Sequence, residues 1–293
     1  MYRIGIIGTE NSHAITFAKL LNLPDEQGRY RHEDARIVGV YGPDVESAQE
    51  IVEKTGVSFI ADKPEDFAGK VDAMMITSRR GSVHAQYAMP FIELGIPLFL
   101  DKPVTSDPAQ AAALLEEARK RKVPVMGGSG CKLAGDLKPV IQEVDALREK
   151  GEFITAAMNF SVDFHSIYDG FYFYAPHLTE MALTAFGYDM RSVMACETNG
   201  TVSAIARYDD FDVSLCYTAG STQSGCLVFG KKSNTYHNIG ISDIFAAEVD
   251  HFVHMLRTGE MPLPYEKLTR HVQVIDAILT SLNTGRETTI QVC

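Results

Sequence analysis

The chain has 293 residues, 45% of them hydrophobic, and a formal charge of −11 from 27 Lys and Arg against 38 Asp and Glu. That length suits two domains with a sizeable core. The acidic balance argues against a nucleic-acid partner, which needs a basic field, and the short basic stretch at 119–122 reads as a helix end.

No apolar run approaches the roughly 18 residues of a membrane span. The first strand starts too early to leave room for a signal peptide, so the chain reads as cytoplasmic, with no membrane partner. Its five cysteines, Cys131, Cys196, Cys216, Cys226 and Cys293, form no C-x-x-C pair and read as reduced thiols.

In chain order, residues 4–7 are too continuously apolar for alternation and read as a buried parallel strand. Gly8 breaks it, and residues 12–23 carry a helical pattern stopped by Pro24. A polar loop at 25–34 leads to a strand at 35–41. A helix at 45–54 closes with Thr55-Gly56 in the manner of a C-cap, and a short strand follows at 57–61. A strong strand at 72–76 precedes Thr77-Ser78-Arg79-Arg80-Gly81. Residues 84–94 read as a helix, 96–100 as a strand, and Asp101-Lys102-Pro103 comes next. Pro108 sits in the first turn of a helix at 107–122, before a strand at 123–127.

This alternation predicts an α/β fold, with a Rossmann-type doubly wound parallel sheet over residues 1–126. Such a sheet holds ligands outside the carboxyl ends of its strands. Polar clusters at residues 8–13, 77–84 and 101–103 stand at three of those ends and are expected in one crevice.

From 127 to 293 the pattern changes. Helices are expected at 137–150, 177–186, 243–258 and 264–283. Strands are expected at 153–162, 192–199, 201–208, 212–218, 224–230 and 235–240. Strands grouped apart from helices predict a C-terminal α+β domain on a largely antiparallel open sheet. Helices on one face leave the other for a second subunit. Residues 225–232 come close to a P-loop but lack its Ser or Thr and the following helix, so they read as a hairpin.

Several stretches resemble the Gfo/Idh/MocA oxidoreductases, relatives of glucose–fructose oxidoreductase and inositol dehydrogenase. Leu98-Phe99-Leu100-Asp101-Lys102-Pro103 is similar to the family's E-K-P element, with Asp for Glu. Residues 72–78 followed by His84 resemble its V-D-A-V-I-I-x-T-P…H stretch, with Ser78 for Pro. Residues 252–259, Pro262, Tyr265-Glu266 and residues 277–285 resemble its last two helices.

The resemblance implies hydride transfer to or from a secondary alcohol or ketone of a sugar, cyclitol or related polyol, using NAD or NADP. It implies proton transfer by Lys102 and by His177, the latter at the histidine of a D-x-G-x-H pattern whose Asp and Gly are here Phe173 and Ala175. Lys102 suits the role if burial lowers its pKa; a histidine, with an ordinary pKa of about 6.5, needs less tuning.

Together with the strand-end clusters, the resemblance implies cofactor contacts at Gly8, Thr9, Glu10, Asn11, His13, Thr77, Ser78, Arg79, His84, Asp101 and Lys102. Substrate contacts are expected at Lys132, Asp163, His165, Tyr168 and His177. No standard ligand spacing joins Asp163, His165, His177 and Glu180, so no metal is expected. A homodimer or homotetramer through the C-terminal sheet follows from architecture and family.

The phosphate turn departs from the fingerprint. G-x-G-x-x-G counted from Gly8 places glycines at 10 and 13, where the chain has Glu10 and His13. The second glycine normally lets backbone approach a pyrophosphate, and Glu10 brings a carboxylate there instead. Gly42 stands where an acidic residue would hold the ribose, with Asp44 nearby. A turn three residues shorter aligns His13-Ala14 with the family's His-Ala and makes Glu10 and Asn11 the tip of a remodelled loop. Arg79 and Arg80 offer positive charge beside the crevice. These departures leave a rival reading, a cofactor-free sugar- or metabolite-binding relative. A lyase or isomerase reusing the cleft is a third, with no residue pattern of its own.

Overall fold

Strand β1 (Tyr2–Ile7) is central to the parallel sheet of the computed structural model, which describes residues 1–291. Its unit continues through α1 (Ser12–Asn22), β2 (Ala35–Tyr41), α2 (Val45–Thr55), β3 (Phe59–Ile60), β4 (Ala73–Ile76), α3 (His84–Glu93), β5 (Leu98–Leu100), α4 (Pro108–Arg121) and β6 (Val125–Gly127). The six strands run parallel in the order β3-β2-β1-β4-β5-β6. The order reverses between β1 and β4, where such sheets bind ligands.

Local chemistry explains these elements. Ile4, Ile6 and Ile7 of β1 and all of β4 are buried, as the unbroken apolar runs require. Helix α1 buries Ala14, Phe17, Ala18 and Leu21 on one stripe. Asp44 caps α2 and Asp107 caps α4, each accepting from first-turn N–H groups. Arg119 and Arg121 in the last turn of α4 pair with Glu116 and Glu117.

The second unit opens with α5 (Leu137–Glu149), β7 (Phe153–Ser161) and α6 (Ala175–Phe186). Five strands follow, an antiparallel run of β8 (Ser192–Thr198), β9 (Thr201–Arg207) and β10 (Asp212–Thr218) and then β11 (Gly225–Gly230) and β12 (Asn234–Asn238). The chain then forms α7 (Ile244–Thr258), α8 (Tyr265–Leu268), α9 (Arg270–Thr284) and β13 (Thr288–Thr289). The sheet order is β12-β11-β7-β10-β9-β8-β13, largely antiparallel, with β7 and β10 parallel. Residues 225–238 form the expected hairpin between β11 and β12.

One face of this sheet packs its alternate residues, such as Val202, Ala204 and Leu215, beneath α5, α6 and α9. Across the other face the register aligns Tyr236, Leu227, Ala157, Ser214, Ile205 and Met194 in one row. Tyr236, Ile205 and Met194 in that row are exposed.

The structure corrects two expectations. The compact units are Met1–Gly128 with Phe245–Leu268, and Ser129–Ile244 with the residues from Thr269 on, rather than a single cut at 126/127. Apolar rings draw α7 into the first unit: Phe252 lies 5.9 Å from Phe99 and Phe245 lies 5.9 Å from Phe17. The expected helix at 264–283 is broken at Thr269. Leu268 is buried in the first unit's core, whereas the Arg270 guanidinium donates to Tyr188 O and Met190 O in the second. No helix among the described residues is long and apolar enough to cross a membrane.

Candidate functional site

Three strand ends of the first unit are tied together by side chains. Asn11 caps α1 by accepting from the His13 N–H at 3.2 Å. Its Nδ2 donates to Thr77 O (2.9 Å) after β4 and to Asp101 Oδ2 (3.2 Å) after β5. His13 Nδ1 lies 2.6 Å from the same Asp101 oxygen, and Asp101 Oδ1 accepts from the Lys102 N–H at 2.7 Å. Thr77 Oγ1 donates to Ile7 O and Gly8 O. The clusters at 8–13, 77–84 and 101–103 are therefore bonded together at the carboxyl ends of β1, β4 and β5.

Asp101 is 1% exposed and Lys102 4%. Burial pushes the Asp101 carboxyl up, but the His13 imidazole, the Lys102 charge and the Lys102 N–H outweigh it and hold it below its ordinary range. The Lys102-Pro103 peptide is cis. His84, expected at the cofactor, is fully buried; its Nε2, 2.7 Å from Ser78 O, braces the turn after β4, and its Nδ1 is buried with no partner among the described residues.

The same turn shows how far a dinucleotide fits. Gly8 has φ of +109°, and a Cβ there would lie 2.2 Å from Ser78 N, so only glycine allows β1 to turn this close to β4. The N–H groups of Thr9, Glu10 and Ser12 make no hydrogen bond among the described residues and stand at the N-terminal end of α1, where an anion is favoured. That backbone suits a pyrophosphate.

The side chains depart from the usual set. Glu10 Oε1 accepts from the Arg79 N–H at 3.1 Å, while Oε2 is buried with no partner among the described residues. After β2, a Cβ on Gly42 would lie 1.7 Å from Thr9 Oγ1, which itself contacts Ser47 Oγ at 2.7 Å. The space of the usual ribose carboxylate is thus filled by Thr9, and Asp44 is engaged in capping α2.

In the second unit, His177 sits in the first turn of α6 and is 8% exposed. Its Nδ1 lies 2.7 Å from Ser129 Oγ and 3.3 Å from Cys131 Sγ. One turn further, buried Glu180 accepts from the Ser129 N–H (2.6 Å) and from Lys132 Nζ (2.5 Å), with His271 Nδ1 at 3.4 Å. Lys132, expected to face substrate, is 8% exposed in its side chain and ion-paired with Glu180. Ser129, Glu180 and His271 form one buried network that no local sequence pattern announces.

Asp163 and His165 line a groove of about 1080 Å³ within this unit, together with Phe160, Tyr174, Gln223 and Asn238. Tyr168 packs its ring against Phe173 at 5.1 Å and is not among the groove's walls. Among the described residues no group of three or more His, Cys, Asp or Glu side chains is placed to hold a metal.

Comparison with known proteins adds to this geometry. Residues 2–129 match the GFO_IDH_MocA model, described as an oxidoreductase family with an NAD-binding Rossmann fold. No curated protein sequence matches significantly. Solved structures resemble the whole chain. A myo-inositol dehydrogenase from Corynebacterium glutamicum superposes with a TM-score of 0.81 at 19% identity, over 99% of both chains. A scyllo-inositol dehydrogenase from Lactobacillus casei gives 0.81 at 12%, covering 99% of this chain and 98% of that one. GenD2 of gentamicin A biosynthesis, solved with NAD, gives 0.82 at 13%, over 99% and 96%. At such identities the likeness establishes the fold. The chain thus has the two-domain fold of these dehydrogenases, and its residues 2–129 match the model of an NAD-binding oxidoreductase family.

Proposed function

We propose that the protein is an NAD(P)-dependent dehydrogenase acting on a secondary alcohol or ketone of a sugar, cyclitol or related polyol. The observation that carries this reading is Lys102, buried directly after β5 beside an ionised Asp101, where the ends of β1, β4 and β5 are bonded together. The inositol dehydrogenases among the structural relatives support the substrate class.

When bound, the nicotinamide accepts or gives the hydride. In the oxidising direction Lys102, in its neutral form, takes the hydroxyl proton as the carbon–hydrogen pair departs as hydride; in reduction it returns that proton to the ketone oxygen. The N–H groups at the start of α1 would hold the pyrophosphate, with Gly8 allowing its approach and Thr9, Asn11, Ser78 and Arg79 bordering it. His177, its Nδ1 fixed by Ser129, is the second proton-transfer candidate through Nε2. Asp163 and His165, on the groove, are the candidate hydroxyl partners.

The exposed row from Tyr236 to Met194 supports a homodimer or homotetramer through the C-terminal sheet. Cys131, Cys196, Cys216 and Cys226 are in no disulfide among the described residues, which agrees with a cytoplasmic setting; Cys293 lies outside the described residues.

The test is a titration with NADH and NADPH followed by nicotinamide fluorescence, then turnover on a polyol panel, with Lys102→Ala alongside. Saturable binding and a roughly 10²–10⁴-fold turnover loss in Lys102→Ala are expected. Absence of binding by either nucleotide, oxidised or reduced, would leave the rival reading: a cofactor-free sugar-binding relative, which the buried, unpartnered Glu10 oxygen favours.

A further inference from the structure

We propose that the groove of the second unit takes an uncharged saccharide of more than one ring, a disaccharide or glycoside, and turns away phosphorylated and acidic sugars. This deepens the polyol reading above and rests on it for the reaction, though not for binding.

Size comes first. At about 1080 Å³ the groove reaches the top of the roughly 300–1,000 Å³ range that holds drug-sized ligands. A single pyranose or cyclitol ring would leave most of it to water. Buried ligand surface is what such a site gains from, so a one-ring ligand uses only a part of these walls.

Charge comes second. No Lys or Arg lines the groove. Phosphate and carboxylate are recognised by charge-assisted bonds, above all from the Arg fork. An anion entering here would lose water, would find no fixed cation, with His165 alone of the lining side chains able to gain a proton, and would meet the Asp163 carboxylate. The walls instead offer neutral partners: the amides of Gln223 and Asn238 and the hydroxyls of Ser221 and Ser242. Neither side-chain amide makes a hydrogen bond among the described residues. Phe160 and Tyr174 supply aromatic faces against which the C–H face of a sugar ring can lie.

The walls are also held in place before any ligand arrives, which lowers the ordering cost of binding. Asn159 Nδ2 donates to Gln223 O at 2.8 Å, and Ser221 Oγ donates to the same oxygen at 3.0 Å. The Ile239 N–H donates to Ser224 O at 2.9 Å, and the Gly240 N–H to Asp136 Oδ2 at 2.9 Å.

The groove leads to chemistry at one wall. The Phe160 and Tyr174 rings lie 5.1 Å and 5.7 Å from the His177 ring. A terminal ring seated on these aromatics would be the one nearest His177, with the remaining ring or aglycone over Gln223 and Asn238.

Calorimetric titration of the full chain, with and without NADH, tests this with maltose, cellobiose and lactose against glucose, myo-inositol, glucose 6-phosphate and galacturonate. At least one disaccharide should bind at least ten times more tightly than either single-ring neutral ligand, and the two anionic sugars should give no saturable heat. The double variant Gln223→Ala, Asn238→Ala should weaken disaccharide binding at least tenfold and leave the NADH titration unchanged.

Equal or tighter binding of a single-ring ligand, binding of an anionic sugar, no disaccharide binding, or a double variant that binds as the parent does would each overturn the proposal. The wild-type selectivity decides the matter even where the double variant misfolds. Saccharide binding without NADH binding would sink the dehydrogenase reading alone. NADH binding with turnover of myo-inositol but no disaccharide binding would sink the groove proposal alone.

Discussion

His13 Nδ1 stands 2.6 Å from Asp101 Oδ2, joining the first turn of α1 to the end of β5 across 88 residues of sequence. The pair is shielded: the side chains are 17% and 1% exposed. Phe17 and Phe245 pack edge-on against the imidazole. Asp101 is therefore the anion on which the crevice closes, shared by His13, Asn11 and the Lys102 N–H.

Replacing Asp101 with Asn should destabilise the protein by about 2 kcal/mol at neutral pH, since buried partners lose their charge-assisted acceptor. The loss should depend on pH. The folded-state pKa of Asp101 lies below its ordinary 3.8, so its stabilisation is fully present above that value and fades as pH falls through the lower folded value. Urea denaturation of both proteins at pH 7 and at stepwise lower pH checks this. A gap that stays constant, or widens on acidification, contradicts it.

Glu10 holds the Arg79 N–H with one oxygen and leaves the other buried without a partner. Glu10→Gln keeps an acceptor for that N–H and removes the charge opposing a pyrophosphate. NADH should then bind roughly tenfold more tightly, about 1.4 kcal/mol, and Glu10→Gly should act in the same direction. Weaker binding in the Gln variant would make the carboxylate a positive contact, such as an acceptor for a ribose hydroxyl.

Restoring the usual acidic residue after β2 should fail by itself. In Gly42→Asp the new Cβ meets Thr9 Oγ1 at 1.7 Å, an overpacking that costs about 1–3 kcal/mol. Adding Thr9→Gly should recover most of the stability and strengthen NADH binding. Melting temperatures and nicotinamide fluorescence of the single and double variants measure the two effects separately. If the single variant is as stable as the parent, Thr9 is not what excludes the side chain.

Glu180 is the counter-charge of buried Lys132 and also accepts from Ser129, beside His271. Glu180→Ala should cost about 3–5 kcal/mol, because it strands a buried ammonium. Pairing it with Lys132→Met should return a good part of that loss. Burial and the Glu180 charge, partly offset by Thr184 and Lys132, push the Tyr188 phenol up. In the double variant the Tyr188 titration, read by ultraviolet absorbance, should move downward.

Much of the fold was legible because it follows from periodicity. Continuous apolar runs such as residues 4–7 and 73–76 can be satisfied only inside a parallel sheet covered on both faces. The grouping of strands apart from helices after residue 127 pointed to a sheet packed on one side, and the alternating burial of β9 and β10 agrees with it. The crevice was legible to the extent that strand ends of such a sheet converge. What Glu10 and His84 do was not legible. Both act across strand neighbours, on Arg79 N–H and Ser78 O, and a one-dimensional fingerprint does not contain those contacts. The gap at Gly42 read as a missing carboxylate, but it is also the room that Thr9 requires. The Ser129, His177, Glu180 and His271 network combines residues from distant segments, and no spacing rule reaches it.

The return of α7 to the first unit has a consequence for folding. The match at residues 2–129 looks like a separable module, yet Phe245 and Phe252 arrive from 116 or more positions beyond its end, closing against Phe17 and Phe99. A ribosome releasing the first 129 residues would deliver a nucleotide fold with an unfilled flank, which must wait for the intervening sheet domain to be synthesised. Residues 129–244 of the second unit are in effect an insertion carried inside the first, and a fragment cut at 129 should aggregate where one joining residues 1–128 to 245–268 through a short linker should fold.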